Sequence, residues 1–462
     1  MKRILEPAVL TKLRTIGDAG LDQLPSAKRT VDELRRRTDL LPQSVVPDPD
    51  KLFLAQCLYR DYTAEISGAL LLAALPQSYA TEYGAGVLGA HGQLTSNLTQ
   101  RIGRTAQFLV TVLQQGENTA DDQNRLWDWR CSKPGTDVTD LPWARCVQLR
   151  LFHQNVRKTL VSSTDKAVKA LLGDENKAPK TPLNQEDLLG MLLMFSFVVF
   201  EVLDRYGICW TADEQDAFLH LWDVVGGYLA IGSDAVRKEL KPTYEIPAGW
   251  QGLRPPTIDE SRCLVNQIRA RQWIDPTPQA NVSGISWTSL RAGRELTRAL
   301  LDELQAGMPS LLKPVPIAVM RSLNPEIVRN RLNLGSNGVL MQSLSLMPKR
   351  RARVAPFTSI EYPNKLAGRV LRSLANDVTA RASVHLGQKF ELRIAGAPDW
   401  QYGAASAEVD EGVNLIPVSE VQLDTTQSTP ARSSPRRAPR VASTERRASP
   451  PARRRGAAPR SP

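Results

Sequence analysis

The stretch Gln148 to Leu160 reads QLRLFHQNVRKTL, with His153 at its centre. In a helix, Arg150 at i−3 and Arg157 at i+4 lie on the histidine's face. Cys146, Leu149, Val156 and Leu160 join them, so the face is mostly apolar and predicted to be buried. Two guanidinium groups cannot be buried without anionic partners, because an unpaired buried charge is strongly destabilising. The spacing therefore implies an acid held against this face, supplied by the chain or by a bound cofactor. A haem meets that description: its iron takes a neutral imidazole and its two propionates take arginines. The competing reading is a hydrogen-bonded histidine in an ordinary core.

Other patterns are excluded more readily. The five cysteines (Cys57, Cys131, Cys146, Cys209, Cys263) form no C-x-x-C pair, which argues against a disulfide framework and a zinc ribbon. Without a C-x-x-C-H motif, any haem would be of the non-covalent kind. There is no glycine-rich phosphate loop, no G-x-S-x-G, no H-E-x-x-H and no internal repeat. His220, between Asp216 and Asp223, reads as part of a solvated polar face, and His91 and His385 lack helical support for ligation.

The elements that must position His153 follow from hydrophobic period. Met1 to Pro49 mixes charges with prolines and reads as an arm or as short helices on the surface. From Lys51 the spacing turns helical through Leu54, Leu58 and Tyr62, and again from Ile66 to Leu75, with an end predicted at Pro76. Ser78 to Gln93 is rich in glycine and small residues, permitting close backbone approach to a neighbour or ligand. A helix over Leu98 to Leu113 places Arg101 and Thr105 together with Ile102, Phe108 and Val112. Gln114 to Asp140, with Trp127 and Trp129, reads as a long loop over the surface. Leu141-Pro142 opens the His153 helix.

Leu188 to Phe200 is uncharged but shorter than the roughly 20 residues a membrane span needs, so a buried core helix is expected. Thr211 to Glu214 is a capping box. Further helices are expected near Ser261 to Trp273, over Ser289 to Ala306, as a pair broken at Pro325 within Pro314 to Gly335, and over Leu366 to Leu386. A hydrophobic content of 42% over 462 residues is ample for a core. The net charge of +11 is concentrated in the tail: Ser428 to Pro462 holds ten arginines and one glutamate, leaving +2 for everything before it. That tail, rich in Pro, Arg and Ser, is expected to be disordered. It offers weak, salt-sensitive attraction to anionic surfaces and no specific nucleic-acid site. The first residues lack an apolar leader, so the cytoplasm is the expected location.

Taken in order, SYATEYGAGVLGAHGQLTSNLTQRIGRTAQFL, the R-x-x-H-x-x-x-R helix, FLHLWDVVGGYLAIG, GRELTRALLDELQAGMP and Asn324 to Leu334 make a set. Over Leu70 to Gly335 the chain resembles the family that unites latex clearing proteins (bacterial rubber oxygenases) with fungal endoplasmic-reticulum oxygenases of the mycophenolic acid pathway. The resemblance implies an all-α fold: a globin-like helical core around a non-covalent haem b, with extra helices. The expected organisation is an arm over 1–49, a helical domain over 50–400 and the tail over 401–462.

By that match His153 is the proximal iron ligand, and Arg150 and Arg157 hold propionates or orient the histidine's surroundings. Arg101 and Thr105 correspond to the family's distal arginine and threonine. Members of the family add dioxygen across an isoprenoid C=C bond and split it into two carbonyls, with a carboxylate as proposed base. Here the chain departs from the pattern. Glu82 is merely the nearest acid before Arg101, and Arg104 stands where rubber-cleaving relatives carry a lysine. The Trp127/Trp129 segment also lengthens the spacing between Thr105 and His153.

The leading expectation is a haem-dependent oxygenase taking dioxygen and a small hydrophobic unsaturated substrate. The alternative is a haem-binding or sensor protein that has lost the distal carboxylate. A third reading, a helical scaffold whose arginine tail binds nucleic acid or an anionic membrane, has no basic aromatic patch in the core to support it.

Overall fold

The computed structural model describes residues 3–25, 30–36, 45–90, 105, 108–113, 126–128, 141–164, 168–169, 181–205, 208–273, 284–306, 308, 310 and 313–335. Among them the regular structure is helical, and the only β pairing is an isolated bridge between Gln251 and Arg254. The helix expected at Leu366 to Leu386, His91, His385 and the tail lie outside the described residues.

The helices run α1 Pro7–Leu13, α2 Ala19–Asp22, α3 Val31–Arg36, α4 Pro49–Asp61, α5 Thr63–Ala69, α6 Leu75–Tyr79 and α7 Glu82–Ala90. Then come α8 Pro142–Val161, α9 Gln185–Arg205, α10 Ala212–Tyr228, α11 Asp234–Leu240 and α12 Ile258–Gln272. The last three are α13 Gly284–Gln305, α14 Pro314–Leu323 and α15 Glu326–Leu332. The helix predicted over Leu98 to Leu113 is helical at Thr105 and over 108–113.

The core is built around α9. Its uncharged stretch buries Leu188, Leu189, Leu193, Met194, Phe197, Val198 and Val199 against α5, α10 and α12, as the run of apolar residues predicts. Each such side chain contributes about 1.5–3 kcal/mol relative to exposure. None of the described helices is long and apolar enough to cross a membrane. The capping box forms as read: Thr211 Oγ1 accepts from the Glu214 N–H and the Glu214 carboxylate accepts from the Thr211 N–H.

Pro76 does not end its helix. Leu70–Ala74 forms one π-helical turn, and α6 continues straight through the proline. A proline has no N–H, so the turn before it is short of one helical donor. The Asn324 side chain supplies the missing bond, donating to Leu72 O at 2.8 Å and to Met320 O at 2.7 Å. Asn324→Leu should therefore cost about 1–3 kcal/mol, the penalty for orphaning a buried acceptor, measured as a lower urea midpoint at unchanged m-value.

The small-residue segment serves a neighbouring helix. α7 packs along α13, and a Cβ added at Gly293 of α13 would run into the Tyr79 carbonyl oxygen. Only a glycine admits that approach.

The N-terminal residues, expected on the surface, instead contribute to the core. Leu5, Val9, Leu10, Leu13, Ile16 and Leu21 are buried. The reason lies at the start of α9, where polar side chains fasten this segment. The Gln185 N–H donates to Ile16 O at 2.9 Å and its amide to Gly17 O at 2.8 Å. Fully buried Glu186 accepts from Arg14 at 2.6 Å and from Arg271 at 3.1 Å.

His220 also departs from expectation. It is buried, not solvated, because α4 packs across α10 and covers it. Its Nε2 accepts from the Asp48 N–H at 2.8 Å, at the entry to α4. Around it Lys51 pairs with Asp216, and Arg254 makes a bidentate pair with Asp223. Burial, with the Lys51 and Arg254 cations, pushes the imidazole down to about 4 against the opposing pull of Asp48 and Asp216. The unfolded chain therefore takes up this proton first. Stability from neutral His220 is fully present above pH ~6.5 and lost as pH falls toward ~4, by about 3 kcal/mol in all. His220→Gln, whose carbonyl can accept the same N–H, should flatten that slope in urea titrations at pH 7, 6, 5 and 4.

Candidate functional site

α8 starts as the sequence predicts, with Pro142 at its first position, where a missing N–H costs nothing. Its first turn is locked by aromatic packing. Trp143, fully buried, lies 6.5 Å from Tyr228 of α10, whose other neighbour at 6.3 Å is Trp127. The Tyr228 hydroxyl donates to the Trp127 carbonyl. The segment around Trp127 is thus a plug in the core and not a surface loop over residues 126–128. Trp129 lies outside the described residues.

The middle of α8 carries the polar face. Arg150, only 1% exposed, makes a two-pronged bond to Asp18, also 1% exposed: Nε to Oδ2 at 2.6 Å and Nη2 to Oδ1 at 2.9 Å. Asp18 also caps α2 by accepting from the Leu21 N–H at 3.0 Å. Burial alone would raise the Asp18 carboxyl. The Arg150 guanidinium, with Arg157 and the Leu21 N–H, outweighs burial and holds it below the usual carboxylate range.

One turn further on, the Gln154 amide donates to Asp22 and accepts from Arg157. Arg157 Nε donates to Leu183 O at 3.2 Å. Leu183 stands at φ 50°, a left-handed conformation that a bulky residue adopts only when its surroundings hold it there. The acid implied by the spacing of the arginines thus comes from the chain itself. Arg150 is paired with Asp18, which suits the second of its two expected roles, orienting the histidine's surroundings. Arg157 is likewise engaged by the protein.

His153 is placed differently from its neighbours. It is half-buried and makes no hydrogen bond to any of the described residues, with Phe152 as its ring neighbour at 6.4 Å. Desolvation in this setting, then the Arg157 cation, pushes its imidazole down to about 3, against the attraction of Asp18. The ring is therefore neutral at physiological pH, and none of the described residues engages its lone pair. That is the state in which a histidine ligates a metal. A porphyrin already supplies four nitrogens, so iron needs a single protein ligand here. No group of three or more His, Cys, Asp or Glu suited to a bare metal ion occurs among the described residues. The residues present fit a haem that His153 would hold through its iron.

The remaining predicted residues are placed in part. Val87 of α7 is buried in a cluster with Val156 and Leu160 of α8 and with Val168. The helix that begins at Glu82 is thereby brought beside the His153 helix. The Glu82 side chain and the whole of Arg101 lie outside the described residues, and Thr105 is helical and half-buried.

Reading the sequence missed Asp18, Asp22 and Gln154. A sequence signal existed only for Asp18, which sits before a short helix as N-caps do. Nothing in the spacing connects it to a residue 132 positions away.

Comparison with known proteins places this geometry in context. No curated protein matches the chain. Among solved structures, a latex clearing protein in its closed state is similar, with a TM-score of 0.49 and 18% identity, covering 81% of this chain and 85% of that one. The family model "ER-bound oxygenase mpaB/B'/Rubber oxygenase, catalytic domain" matches residues 62–347. With more than half of its length in that match, His153 included, the chain belongs to this oxygenase family.

Proposed function

We propose that the chain is a haem b-dependent oxygenase that uses dioxygen to oxidise or cleave a C=C bond of a lipid-soluble, isoprenoid-like substrate. The observation that carries the reading is His153: a neutral imidazole with no hydrogen bond to the described residues, on a helix whose flanking arginines are fixed by buried acids. Membership of an oxygenase family adds the reaction class. A haem held there would supply redox-active iron for dioxygen chemistry.

The chain's own contribution is positioning and exclusion of water. α8 is held at its start by Trp143 against Tyr228 and along its middle by Arg150 and Gln154, which fixes the backbone that carries His153. The Val87, Val156 and Leu160 cluster closes the side toward α7 with apolar surface. We assign Arg101 and Thr105 to polarising bound dioxygen and Glu82 to accepting a proton from substrate.

The test is dioxygen uptake by haemin-loaded protein with short oligo-isoprenes, with ¹⁸O₂ to label the products. Uptake coupled to two labelled carbonyl groups per C=C bond split is expected for cleavage. A protein that binds haemin through His153 but consumes no dioxygen with any unsaturated lipid would be a haem-binding protein and not an oxygenase.

A further inference from the structure

The family match begins at residue 62, yet the acid that neutralises Arg150 sits at residue 18. Residues 14–22 are bonded into the site's surroundings at several points. Thr181 donates its N–H to Arg14 O at 3.0 Å and its hydroxyl to Thr15 O at 2.9 Å. Gly17 lies against the Arg157 side chain, where an added Cβ would be 3.3 Å from Cδ. Asp18 and Asp22 face Arg150, Gln154 and Arg157, so two carboxylates stand opposite two guanidiniums around the helix turn that carries His153.

We propose that Asp18 tunes the His153 site through charge: its carboxylate fixes the Arg150 guanidinium and offsets its charge, so the N-terminal segment sets the iron reduction potential of a site assigned to the downstream domain. The inference rests on the reading of His153 as iron ligand. Its physical basis is electrostatic. A fixed positive charge near the iron favours the ferrous state and a fixed negative charge the ferric state, and a pair of 1% exposed groups is only weakly screened by solvent.

The experiment compares full-length protein with Asp18→Asn, Arg150→Gln and the double variant, each checked for native circular dichroism and then loaded with haemin. Asp18→Asn removes the negative charge that offsets Arg150, so the potential should move positive. Arg150→Gln leaves Asp18 uncompensated and should move the potential negative. The double variant has no net change in charge and removes the buried ion pair altogether, so it should fold and return close to the parent potential. A purely structural role for Asp18 would not produce shifts of opposite sign that cancel. Folded single variants with the parent potential, or with shifts of the same sign, would overturn the proposal and leave His153 as ligand intact. A parent chain that takes up no haemin through His153 would overturn both.

Discussion

Replacing Arg150 with methionine is expected to destabilise the fold by about 3–5 kcal/mol, because Asp18 would remain buried and ionised without its partner. The loss should appear as a lower urea midpoint at pH 7. It should shrink at acid pH, where Asp18 is protonated in the variant. Replacing both residues, Asp18→Leu with Arg150→Met, should recover most of the stability, since a buried ion pair exchanged for apolar volume is often neutral. A single variant as stable as the parent would mean that Arg150 and Asp18 are not the buried pair described.

That pair also shows where the sequence was legible and where it was not. The helix around His153, its apolar face and the need for an acid opposite two arginines all follow from residue type and a period of 3.6. The identity of the acid does not, because helical periodicity relates residues three and four apart and says nothing about one 132 positions upstream. The same limit explains Trp127. A segment that is polar on average reads as surface, although one side chain in it is fully buried against Tyr228.

Pro76 departs from the helix end that its residue type predicts for a local reason with a distant remedy. Prolines stop helices when the freed carbonyl has no other donor, and here Asn324 provides one. His220 was read as solvated because two aspartates flank it in sequence, whereas Lys51 and Arg254 take those carboxylates and α4 covers the ring. Of the candidate site, the helix face bearing Arg150, His153 and Arg157 is the part that composition and spacing could reach. The correspondence of Arg101, Thr105 and Glu82 to distal groups came from resemblance alone.

The second large effect concerns the ligand itself. His153 is half-buried and bonded to none of the described side chains, so its removal should cost the apo fold little. Its effect on a bound haem should be much greater. Changes to groups that merely support a metal's ligand weaken binding about 10–100-fold, so His153→Ala should weaken haemin retention by more than about 100-fold. Far-ultraviolet circular dichroism should be unchanged, which separates this outcome from the instability expected of Arg150→Met.

The decisive measurement is the absorption spectrum of the purified chain after exposure to haemin and gel filtration, beside that of His153→Ala. A Soret band retained by the parent and lost or strongly shifted in the variant is the predicted result. A parent that emerges colourless, or a variant whose spectrum superimposes on the parent's, would contradict the assignment of His153 to iron.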